Sequence, residues 1–88
     1  MKTKKHIIIE KYLLMIQELN KILNFDIFPE FNNPIDILFY FQYNFLMVPH
    51  PAEKIEDILI LNHIILEDDV FGLVCDIILD FIILLNNL

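Results

Sequence analysis

Residues 5–24 read KHIIIEKYLLMIQELNKILN. Ile8, Tyr12, Met15, Leu19 and Ile22 recur at helical spacing, and Ile9, Leu13, Ile16 and Leu23 fill the adjacent row. Glu10, Lys11, Gln17, Glu18, Lys21 and Asn24 fall on the other side, and no Gly or Pro interrupts the run. A period near 3.6 with one apolar side predicts an amphipathic helix that must bury that side against other elements.

Downstream, residues 25–33 read as a loop holding Pro29 and the Asn32-Asn33 pair. Phe25, Phe28 and Phe31 in that loop are expected to fold back onto the core, because exposed phenylalanines forfeit burial energy. Asn33-Pro34-Ile35-Asp36 is a helix start: Asn caps, Pro suits the first position, and an early acid suits the positive end of the dipole. This second helix should run to about Met47 and stop before Pro49. The Pro49-His50-Pro51 tripeptide is a stiff corner. Pro51 then opens a third helix, with Glu53 in its first turn, expected to reach about Leu66.

At Glu67-Asp68-Asp69 a break is expected, with Asp68 or Asp69 capping a fourth helix that includes residues 70–88. One continuous helix over residues 51–88 would leave much of its apolar surface uncovered. Ile58–Leu61 and Ile77–Leu79 are β-branched, but no turn chemistry brackets them, and one Gly in 88 residues leaves few places for hairpins. The expected fold is all-α: one small bundle of three to five helices, residues 1–88 forming a single helical domain.

Hydrophobic residues make up 57% of the chain, above the usual share of about 45–50%. The surplus implies a dense core, an apolar interface or a membrane. Residues 37–52 form the longest uncharged stretch, but Gln42, Asn44, Pro49, His50 and Pro51 interrupt it, and Asp76 and Asp80 interrupt the last segment. A membrane span is therefore not expected. The basic start, Lys2 to Lys5, leads into only three isoleucines before Glu10-Lys11, unlike a signal peptide. A lone Cys75 excludes an internal disulfide and fits a reducing compartment, so a cytoplasmic protein is expected.

Charge is distributed unevenly. Residues 1–50 hold five lysines and five acids. Residues 51–88 hold Glu53, Glu56, Asp57, Glu67, Asp68, Asp69, Asp76 and Asp80 against Lys54 alone, which accounts for the whole net charge of −7. Glu53, Glu56, Asp57, His63 and Glu67 would share one face of a third helix reaching Leu66, and the cluster continues into Asp68 and Asp69. No lysines are interleaved along that face, so it repels itself, a cost more readily explained if a partner uses it. In the second helix Asp36, Tyr40, Tyr43 and Asn44 would project to one side, with Leu38, Phe39, Phe41, Phe45 and Leu46 on the others. Tyr beside an acid is a plausible contact patch for a Lys- or Arg-bearing partner.

Other constellations carry less. His63 and Glu67 stand four apart, but no second ligand pair accompanies them, so neither a metal nor another cofactor is expected. Asp69, Asp76 and Asp80 make a narrow acidic stripe without a nucleophile, base or phosphate loop nearby, so an enzyme is not expected. Cys75 is expected to be buried and inert. The apolar segment 70–88 could serve as a homodimer interface.

Small size, a strong negative balance, helical folding and an acid-plus-tyrosine face together resemble bacterial immunity proteins, the colicin and contact-dependent inhibition type. The resemblance is one of type and rests on no alignable motif. It implies a non-enzymatic inhibitor that binds and neutralises a basic cognate toxin, a nuclease above all. The physical logic agrees: nucleases that grip phosphate backbones are basic, and an acidic inhibitor is steered towards them. The same field repels nucleic acid, so no direct nucleic-acid contact is expected. Two alternatives remain at this stage. One is an acidic nucleic-acid mimic of the phage anti-defence kind, and the other is a helical self-assembling or adaptor module.

Overall fold

The structure is a computed structural model and describes residues 3–88. Its elements are α1 (Lys4–Leu23), α2 (Pro34–Phe41), a π-helical turn continuing α2 (Gln42–Leu46), α3 (Pro51–Leu61) and α4 (Asp68–Asn86). Among the described residues there is no strand, so the expected all-α bundle is the fold. α1 packs against both α2 and α4, while α3 rests mainly on the π turn and touches α4 more lightly.

The helix starts follow local chemistry. Thr3 Oγ1 accepts from the His6 N–H at 3.3 Å and caps α1. Asn33 Oδ1 accepts from the Ile35 N–H at 2.9 Å and caps α2, and Pro34 and Pro51 open α2 and α3 as expected. The helix ends use asparagine where other chains use glycine. Asn24 closes α1 in the left-handed region, with φ 53°, a conformation that its short polar side chain tolerates. The Asn62 and Asn87 side-chain amides donate back to the carbonyls of Ile58 and Ile83, at 2.8 and 3.0 Å. Both carbonyls also accept the backbone N–H of the same asparagine, at 3.2 Å each, so the side chain adds a second bond at the last helical turn.

The core is aromatic at its centre. Tyr12, Phe41 and Phe81 meet at ring separations of 5.0 to 6.0 Å. Phe28 and Phe45 extend this cluster from the loop and the π turn. The Tyr12 hydroxyl donates to the Pro29 carbonyl at 2.6 Å, pinning the 24–33 loop to α1. Ile37, Phe41 and Phe45 are all fully buried although they lie four apart. In a straight α-helix that row would rotate away from the core by about 40° per step. The wider π turn, marked by the Met47 N–H donating to the Gln42 carbonyl at 3.0 Å, removes that drift.

Four expectations need correction. Of the three loop phenylalanines, Phe28 is buried and Phe31 half-buried, but Phe25 is exposed, because the left-handed Asn24 turns the chain outward there. Leu13, expected on the buried side of α1, is 53% exposed, because α1 fully buries only the row carrying Ile8, Tyr12, Met15 and Leu19. α3 ends at Leu61, not Leu66. Finally, Glu67 occupies the cap position of α4, and Asp68 and Asp69 form its first turn rather than its cap. The Asp69 carboxylate instead accepts from the Val70 N–H at 2.9 Å.

Candidate functional site

The early end of α3 decides the geometry of the acidic region. His63 adopts a left-handed φ of 59° directly after the cap residue Asn62. The His63 N–H then donates to the Ile60 carbonyl, and the Ile64 N–H donates to the Leu59 carbonyl, each at 2.9 Å. This pair of bonds is a Schellman motif, with His63 in the place usually held by glycine. The chain reverses and runs through residues 64–67 into α4. His63 and Glu67 therefore leave the face they would share on a longer helix. Glu53, Glu56 and Asp57 remain on it and are exposed. The i, i+4 relation of His63 and Glu67 disappears with the helix. Among the described residues no three His, Cys, Asp or Glu side chains converge as a metal site requires.

The same reversal brings two acidic groups to one corner. Glu67, Asp68 and Asp69 are exposed at the start of α4, which returns beside α3. Glu56 from α3 and Asp68 from α4 line one cleft between the two helices. Its remaining walls are Leu59, Ile60, Ile64, Ile65, Leu66 and Phe71, around an open volume of about 440 Å³. Three aliphatic residues at this corner are left in solvent: Ile60, Leu61 at 78% exposure and Ile65 at 94%. An apolar cleft and exposed aliphatics rimmed by carboxylates are what sequence reading missed. A helix continuing to Leu66 would hide the cleft, because Ile64, Ile65 and Leu66 would then lie within it.

The second candidate patch divides. Tyr40 is half-buried, with its ring 5.4 Å from Phe31, 6.0 Å from Phe28 and 5.3 Å from Phe41. Burial pushes its phenol above the ordinary tyrosine range. Asn44 is half-buried too, and its side-chain amide donates to the Tyr40 carbonyl at 2.8 Å, supporting the backbone where α-helix passes into π turn. Tyr43 is 69% exposed and Asp36 is exposed. Asp36, Tyr40, Tyr43 and Asn44 thus do not form one free face. Two of them face solvent and two support the fold.

Asp36 also lies apart from the acidic corner. Pro34 and Ile35, at the start of α2, share a cleft with Leu85 and Leu88 at the C-terminal end of the chain. Asp68 opens α4 at its other end. The helix between them is about 27 Å long at 1.5 Å per residue. Asp36 therefore belongs to the opposite end of the bundle from the acidic corner.

Cys75 is buried, and burial pushes its thiol above the ordinary range, with Asp76 and Glu56 adding to the effect. Such a thiol is a poor nucleophile. Tyr12 is held in its neutral form by burial first, then by Tyr40 and Asp26. No helix among the described residues is long and apolar enough to cross a membrane. Comparison with known protein families, curated proteins and solved structures finds no match.

Proposed function

We propose that the protein is a non-enzymatic inhibitor of immunity type, which neutralises a basic cognate toxin, in the first place a nuclease, by binding it stoichiometrically. One observation carries the reading. Glu53, Glu56, Asp57, Glu67, Asp68 and Asp69 are all exposed along α3 and at the start of α4, and Glu56 and Asp68 line one cleft, in a segment whose single lysine is Lys54. Concentrating like charge costs stability through self-repulsion, and a basic partner relieves that cost. A positive partner is steered in, and a nucleic acid is repelled. Glu56 and Asp68 frame an apolar cleft, which favours a protein partner over mimicry of a phosphate backbone, since mimicry requires acids strung along a surface.

The test is kinetic and functional together. The chain should suppress the activity of a captured basic toxin at one-to-one stoichiometry, and its association should slow steeply as salt is raised. The triple reversal Glu53→Lys, Glu56→Lys, Asp57→Lys should cut the association rate by at least about tenfold while leaving the helical circular dichroism unchanged. Salt-independent association, or an unchanged rate in the reversed variant, would refute the proposal.

A further inference from the structure

We infer that the cleft between α3 and α4 is an anchor site for an apolar side chain on a basic amphipathic helix of the partner. The inference rests on the reading of a basic partner and specifies how that partner is held. Its starting point is the Schellman turn. In that motif the residue after the left-handed position is set towards the last helical turn. Here those positions are Ile64 and Leu59, and both line the cleft. Phe71 and Leu66 supply the α4 side, and Ile60 and Ile65 stand at the mouth.

The exposure of the mouth is unusual for a small domain. Ile65 is almost wholly in solvent although it is followed directly by the half-buried Leu66. A contiguous exposed apolar patch with a polar rim marks an interaction surface. The rim decides the occupant. Glu56 and Asp68 line the cleft itself, and Glu53, Asp57, Glu67 and Asp69 flank it in sequence. An acidic peptide or an anionic lipid surface would be repelled. A helix that offers one large apolar residue between lysines or arginines satisfies both parts, since its anchor leaves water while its charges meet the carboxylates at the rim. Fixed apolar pockets ringed by solvent-excluding contacts are where binding energy concentrates.

The experiment uses two synthetic helical peptides of equal length and charge. One is lysine-rich with a leucine-lined face, and the other has serine in place of each leucine. Binding to the full chain is measured by titration calorimetry and by backbone amide shifts. The leucine peptide should bind more tightly by about tenfold to a hundredfold, the value of burying one such side chain. Its shifts should centre on residues 56–71. Ile60→Ser and Ile65→Ser should remove that advantage and keep the thermal midpoint, because both side chains are already exposed.

Equal binding of the two peptides in proportion to salt would overturn the anchor while leaving the basic-partner reading intact. Failure of both to bind would overturn both. Concentration-dependent dimerisation of the chain alone, abolished by Ile65→Ser, would make a second copy the occupant and overturn the inference.

Discussion

Tyr40 and Tyr43 lie three residues apart, and truncating them should have opposite consequences. Tyr40→Ala removes a half-buried ring that contacts Phe28, Phe31 and Phe41. Fully buried aromatic-to-alanine changes cost about 3–5 kcal/mol, and each ring pair carries about 0.5–1.5 kcal/mol beyond burial. Half-burial scales the first figure to about 1.5–2.5 kcal/mol, and because truncation costs already include ring contacts, the three pairs only place the total at the upper end of that range or just above it, near 2–3 kcal/mol. A domain of this size loses about 4–8 °C of midpoint per kcal/mol, so the thermal transition should fall by roughly 10–20 °C. Tyr43→Ala removes a side chain that is 69% exposed and should stay within about 0.5 kcal/mol of the parent. Tyr40→Phe, which keeps the ring, should stay close to the parent as well. Thermal melts followed by circular dichroism separate the three variants. Equal midpoints for Tyr40→Ala and Tyr43→Ala, or the larger fall at Tyr43, would refute the assignment of Tyr40 to the core edge.

Three further outcomes follow from local geometry. His63→Gly relieves a left-handed backbone at φ 59° and should raise stability by about 1 kcal/mol in urea unfolding; a loss would mean that the imidazole itself supports the turn. Asn33→Ala removes the acceptor of the Ile35 N–H and should cost about 1 kcal/mol by the same measurement. The Tyr12 phenol is shifted upward from 10.0, so the unfolded chain loses this proton before the folded one does. Stability is then fully present below pH 10 and falls as pH rises past it, by up to about 1.4 kcal/mol per pH unit. Tyr12→Phe should flatten that alkaline decline while costing about 1 kcal/mol at neutral pH through loss of the bond to Pro29. A parallel alkaline decline in both proteins would refute the shift.

The helical class, the amphipathic face of α1, the Asn33-Pro34 start and the Pro51 start were all legible because each rests on local chemistry. Periodicity over twenty residues, a capping side chain and a proline at the first position act within one or two turns. The end of α3 was misplaced by five residues for a physical reason. The sequence offers no Gly or Pro there, and histidine is a rare occupant of the left-handed position. The one available clue is Asn62, whose side chain bonds back to Ile58; Asn24 and Asn87 mark helix ends in the same chain. That misplacement hid the cleft as well, since Ile64 and Ile65 leave the helix only when the chain reverses at His63. The acidic residues were found from charge alone, but the meeting of Glu56 and Asp68 at one cleft depends on the turn. Tyr40 and Tyr43 could not be told apart by spacing, because the loop phenylalanines that pack on Tyr40 are distant in sequence.

The π turn makes the chain tolerant of a change in length at one place. It accommodates one residue beyond what a regular helix would hold, and no proline or glycine lies within Gln42–Leu46. Deleting one of those residues would let the segment wind as an unbroken α-helix with its backbone bonds intact. The wider turn and the shorter α-helical one each sweep a little more than one revolution, so the α3 arm and its carboxylates would keep nearly the same bearing towards α4. A second deletion would have no bulge left to absorb it. Everything after Met47 would then be turned by about 100° about the helix axis, and α3 would swing away from α4 while both flanking helices still formed.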